Sequence, residues 1–131
     1  MSTPQLGTRT AIIAVEVDVP ITVFLAEDNL MFSARLRSVL EAAGFRVEVF
    51  ESALPDSVAC DVMVLNLGCR AFDVQESAHK ARAAGAKLIG HAGGRETELI
   101  ALGKRIGCDQ VLSNSRVMSD VVAVVKALCA S

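Results

Sequence analysis

The chain has no tryptophan and no tyrosine, and aromatic residues amount to only 4% of it. A core of bulky rings is thereby excluded, and so is a surface that stacks bases on aromatic faces. With 52% hydrophobic residues, the interior must be built from Val, Leu, Ile and Ala, which suits a sheet covered by helices on both faces. Long apolar runs are missing too. The most hydrophobic stretch near the start, Ala11 to Val15, is soon broken by Glu16 and Asp18. A membrane span, which needs about 18 apolar residues, is not expected, nor is a cleaved secretory signal. No charge of one sign accumulates: 13 basic and 15 acidic residues are mixed along the chain, for a formal net charge of −2. The absence of a basic block disfavours direct nucleic-acid binding, and a cytoplasmic location is expected.

The four cysteines, Cys60, Cys69, Cys108 and Cys129, stand far apart, without a C-x-x-C pair or a His at zinc-like spacing. Core thiols are the reading to expect rather than disulfides or metal ligands. Cys69 is the exception to watch, because it falls in a loop beside Asn66.

At 131 residues the length suits one domain with its own core. Strand-length apolar runs alternate with segments of helical period. "ITVFLAED" opens as a strand, and the segment after it places Phe32, Leu36, Val39, Leu40 and Ala43 on one helical face before Gly44. "RVEVF" alternates as a strand. "ESALPDSVAC" holds at most a turn or two of helix, so the second helix is shortened. "DVMVLNL" and "KLIGHA" read as strands, "VQESAHKARAAGA" and "RETELIALGKRIG" as helices. "QVL" reads as a short strand and "MSDVVAVVKALCA" as the last helix. Such alternation implies a parallel sheet with right-handed crossovers. The simplest solution is an α/β, flavodoxin-like, doubly wound (βα)5 domain with strand order 2-1-3-4-5 over residues 21–131. Residues 1–20 form an N-terminal extension in which "AVEVDV" can supply an extra edge strand.

Ligands of open α/β sheets collect at the C-terminal ends of the strands. Those ends carry Glu27 and Asp28, then Asn66, His91, Ser113 and Asn114. "VFLAEDN", an amphipathic helix ending in Gly, "CDVMVLNL", "KLIGHA" and "GCDQVLSNS" together resemble the receiver domain of bacterial response regulators over residues 21–129. In that family an acidic pair binds Mg2+, the Asp ending the third strand accepts a phosphoryl group, a Ser or Thr after the fourth senses it, and a Lys after the fifth pairs with it. The resemblance places Glu27 and Asp28 at the acidic pair, Asn66 at the phosphoacceptor, His91 at the switch position and Asn114 at the lysine. Ser115 replaces the usual Pro, and the loop "LGCRAFDV" lacks the family's Pro and Gly.

A carboxamide has the shape of a carboxylate without its charge or nucleophilic oxygen, so Asn66 should not take a phosphoryl group by the usual route. Losing the third carboxylate lowers the local charge from about −3 to −2, leaving Glu27 and Asp28 with weak Mg2+ binding at best and no required cofactor. The amide can hydrogen-bond Glu27 or Asp28 in the remnant pocket, and the imidazole at 91 can fill it. Structural roles stand beside these: the acids can cap the following helix, and His79 lies on a polar helical face.

The resemblance thus implies a pseudo-receiver, a non-enzymatic binding module of bacterial regulation. Its protein partner is expected on the face made by the fourth helix, fifth strand and fifth helix, about residues 95–129. That face also allows a homodimer. Val117, Val122 and Val124 spread around the last helix as excess apolar surface. With no output domain after residue 131, the effect is expected on a separate partner or a second copy. Two alternatives differ in class. One is a small-ligand or anion sensor using Gly93 and Gly94 before a helix; the other is an enzyme with His91 as base and Asp28 or Glu27 as its orienting group, which has a nucleophile only if Cys69 turns toward the site.

Overall fold

The computed structural model describes residues 19–130. Five strands alternate with four helices: β1 (Thr22–Ala26), α1 (Leu30–Ala42), β2 (Arg46–Phe50), β3 (Val62–Asn66), α2 (Val74–Ala83), β4 (Lys87–Ala92), α3 (Thr97–Arg105), β5 (Gln110–Ser113) and α4 (Asn114–Cys129). All neighbouring strands are parallel, in the order β2-β1-β3-β4-β5. The composition explains the order of burial. β1 and β3 are almost wholly apolar and buried in the middle, while the edge strand β2 alternates Val47 and Val49 with exposed Arg46 and Glu48.

One core, under α1 and α4, gathers Val23, Leu25, Leu36, Leu40, Val64, Ile89, Val117, Val121 and Val125. The other, under α2 and α3, gathers Phe24, Met63, Leu65, Leu67, Ala78, Ala81 and Leu88. The shortened second helix expected after β2 is absent: the connection over residues 51–61 has no helix, so the described residues hold four helices rather than five. The expected extension lies almost wholly outside the described residues; of it only Val19 and Pro20 are described, and both are exposed.

Four local expectations are corrected. Val39 and Ala43 are exposed rather than buried on α1, because the face that meets the sheet centres on Ser33, Leu36 and Leu40. Ser33 can lie there because its hydroxyl donates to Leu30 O at 3.1 Å. The last helix starts at Asn114, four residues before "MSDVV", since the Ser113 hydroxyl accepts from Arg116 N and serves as N-cap. Val117, Val122 and Val124 are not excess surface: Val117 is fully buried and the other two pack partly buried against the first core. The cap of α1 is Asn29, whose Oδ1 accepts from Phe32 N, so Glu27 and Asp28 are free of that duty.

Candidate functional site

β1 and β3 lie side by side while the chain leaves them toward opposite edges, so the crevice at their C-terminal ends is the switch point of the sheet. Strand register fills it. Asn66 ends β3 and stands opposite His91 on β4; Glu27 follows the last residue of β1, which pairs with Leu65. Glu27 and His91 are 1% and 2% exposed, so a carboxylate and an imidazole share an almost dry pocket.

A chain of contacts joins four of the five residues that the resemblance places at the site. Asn66 Nδ2 donates to Glu27 Oε2 at 2.7 Å, and Asn29 N donates to the same oxygen at 3.1 Å. His91 Nε2 lies 3.1 Å from Glu27 Oε1. The two atoms face each other at ion-pair distance without the alignment of a hydrogen bond, and neither has a hydrogen-bond partner among the described residues. His91 Nδ1 meets Asn114 Oδ1 at 2.7 Å. Each ring nitrogen therefore faces a side-chain oxygen. Phe32, one turn into α1, stacks on the imidazole with ring centroids 5.0 Å apart. Burial alone pushes the Glu27 carboxyl up and is the largest single influence. The contacts from His91, Asn66 and Asn29 N together outweigh it and hold the carboxyl below its ordinary range.

Asp28 is set apart. Its carboxylate is exposed and turns to the loop after β3, where Arg70 N donates to Oδ2 at 3.1 Å. That bond, joined by Cys69 Sγ and Ala71 N, holds the Asp28 carboxyl below its ordinary value. The loop is fixed from the other side by Gly68 N donating to Asn66 Oδ1 at 2.9 Å. The acidic pair of the sequence is thus divided between two jobs, and the main-chain donors that divide it carry no sequence signal.

Leu67, directly after Asn66, ties this rim to α3. A Cβ on Gly90 would lie 3.1 Å from Leu67 Cδ1, and one on Gly103 only 2.8 Å from the same atom. Two glycines, one on β4 and one on α3, make the seat for this side chain. Sequence reasoning missed Leu67; the signal was a glycine inside a helical pattern, which often marks close packing.

The glycines before α3 do not offer a free anion cradle, because Gly93 N donates to Glu96 Oε1 at 2.7 Å. Cys69 is buried, and burial pushes its thiol up. Burial likewise pushes up Cys129 and raises Cys60 to about 12 and Cys108 to about 11.

No protein-family model and no curated protein matches the chain. Solved structures do. The receiver domain of the Francisella response regulator 1452 is 18% identical with a TM-score of 0.70, over 82% of this chain and 95% of that one. The BeF3-activated receiver domain of DrrB, a Thermotoga maritima protein, is 17% identical with a TM-score of 0.75, over 86% of this chain and all of that one. A streptococcal redox sensor evolved from two-component response regulators is 15% identical with a TM-score of 0.65, over 82% of this chain and 50% of that one. The fold of the chain is that of response-regulator receiver domains.

That fold implies Mg2+ beside the acidic pair, and the residues present do not fit it. Mg2+ keeps several waters and takes oxygen ligands from accessible carboxylates. Glu27 is buried with both oxygens in contact with protein nitrogens, Asp28 is held by the 69–71 loop, and Asn66 Oδ1 accepts from Gly68 N. Among the described residues no group of three or more His, Cys, Asp or Glu side chains could hold a metal ion. No helix among them is long and apolar enough to cross a membrane.

Proposed function

We propose that the chain is an atypical receiver-like signalling module of bacterial two-component regulation, cytoplasmic and without catalytic activity, that works by docking to a protein rather than by taking a phosphoryl group on an aspartate. The observation that carries this reading is the bond from Asn66 Nδ2 to Glu27 Oε2. At the strand end where the receiver fold needs a nucleophilic carboxylate stands an amide whose nitrogen donates to the acidic neighbour and whose oxygen accepts from Gly68 N. Attack on phosphorus needs a charged oxygen lone pair, and an amide oxygen already engaged supplies none.

The contacts also suggest what replaces the switch. In the receiver family the phosphoryl group links the acidic pocket to the residue ending the fourth strand and to the one after the fifth. Here Glu27, His91 and Asn114 make that linkage with side chains alone, so the module works in one fixed arrangement. Its docking face is α3, β5 and α4, about residues 95–129, where a second copy is an admissible partner. The streptococcal redox sensors descended from response regulators offer precedent for a receiver fold with another trigger. A thiol trigger is disfavoured in this chain, since all four thiols are held above their ordinary value.

Treatment with acetyl phosphate and, separately, with beryllofluoride in the presence of Mg2+ tests the reading. Intact mass and amide NMR spectra should remain unchanged. A stable adduct of one phosphoryl group would sink it.

A further inference from the structure

The loss of a carboxylate at 66 accounts for a weaker metal site, but the geometry assigns the decisive part to a different residue. We propose that His91 is what blocks the Glu27 carboxylate: its imidazole, not the amide at 66, closes the pocket to divalent ions. This rests on the reading of the pocket as a fixed, unphosphorylated one and extends it to the question of what fills the space.

Three observations carry it. First, His91 Nε2 lies 3.1 Å from Glu27 Oε1, the Glu27 oxygen that Asn66 and Asn29 leave open. With both oxygens contacted by nitrogen, the carboxylate has no edge left for a metal. Second, the imidazole is held at three points: β4 carries it, Phe32 stacks on one face at 5.0 Å, and Asn114 Oδ1 meets the far nitrogen at 2.7 Å. A ring fixed this way cannot swing out to admit an ion without breaking the stack and the Asn114 contact. Third, Glu27 and His91 are both at least 98% buried, whereas Mg2+ arrives with a shell of water that it sheds reluctantly. The Ser or Thr that the receiver family carries at this position is far smaller than imidazole and would leave that volume to solvent.

The test is a Mg2+ titration followed by amide NMR on four proteins: the natural chain, Asn66→Asp, His91→Thr and the double variant. If His91 closes the site, restoring the carboxylate alone gives no saturable shifts in the millimolar range. The double variant then binds with peaks moving at 27, 28 and 66, at least about tenfold tighter than Asn66→Asp. Equal affinity of Asn66→Asp and the double variant would overturn the proposal, and so would a folded double variant that ignores Mg2+. A measurement on the natural chain guards against variants that do not fold. The long-range nitrogen-proton spectrum of the His91 ring should show a proton on Nε2, and a bare Nε2 also overturns the proposal. Failure of the broader reading looks different, because it is a phosphoryl or beryllofluoride adduct on the natural chain whatever the Mg2+ affinities.

Discussion

Asn66 Nδ2 stands 2.7 Å from Glu27 Oε2, across 39 residues of sequence, and donates to it. The amide turns what would be a crowded pair of anions into a donor and an acceptor. Asn66→Asp keeps the shape and reverses that sign, placing a second carboxylate oxygen against the first in a site that is nearly dry. Two carboxylates that close do not both ionise readily. The variant should lose about 1–3 kcal/mol at pH 7 and recover part of it near pH 4–5, where the pair can share a proton. Urea denaturation at both pH values measures this; an Asn66→Asp protein at least as stable as the natural one at pH 7 contradicts it.

Glu27 gives the fold a dependence on acid. Its carboxyl is held below its ordinary value of 4.5 in the folded chain, so the unfolded chain binds the proton more readily. The stability this confers is fully present above about pH 4.5 and is lost as pH falls through the lower folded value. Glu27→Gln removes the ionisable group while keeping its size. At pH 7 the variant should be less stable by about 1–3 kcal/mol, and the gap should narrow steadily in acid. A gap that is constant from pH 7 to pH 3 would show that the charge of Glu27 contributes nothing.

The strand and helix order was legible because composition and period agree. β1 and β3 are continuous apolar runs and β2 alternates, and β1, β3, β4 and β5 each deliver a polar residue to the rim. The membership of the site was legible for the same reason: Glu27, Asn66, His91 and Asn114 sit at successive strand exits. What could not be read is who touches whom. The pairing of His91 with Glu27 rather than Asp28 follows from strand register, and the capture of Asp28 by Arg70 N follows from a loop whose donors are main chain. Helix ends shifted where a polar triplet conceals a cap, as at Ser113. The exposure of Val39 reflects how α1 rolls on the sheet, which periodicity alone does not set.

The Leu67 seat yields a prediction against propensity. In a helix interior, Gly to Ala normally gains about 1 kcal/mol. At Gly103 of α3 the new Cβ would lie 2.8 Å from Leu67 Cδ1 and 3.0 Å from Val111 Cγ2, and overpacking of this kind costs about 1–3 kcal/mol. Gly103→Ala should therefore lower the thermal midpoint. In a Leu67→Ala background the same change should cost clearly less, because the nearer of its two obstacles is gone while Val111 Cγ2 remains at 3.0 Å. Equal effects in the two backgrounds would mean that Leu67 does not link the rim to α3.

Thiol chemistry separates the docking module from its enzymatic rival. A cysteine nucleophile requires thiolate at working pH, hence a lowered pKa. In this chain burial pushes Cys60 to about 12 and Cys108 to about 11, and it raises Cys69 and Cys129 as well. For Cys69 the neighbouring Asp28 carboxylate adds to the effect by disfavouring a second negative charge. All four should react with iodoacetamide at pH 8 more slowly than an unstructured cysteine peptide, Cys60 slowest of all, and should become fast together in urea. Peptide mapping after timed quenching reads the rate at each position. A folded chain in which Cys69 alkylates faster than the peptide would mean that its thiolate is stabilised by something other than the contacts described, and would return a nucleophile to the rim beside His91.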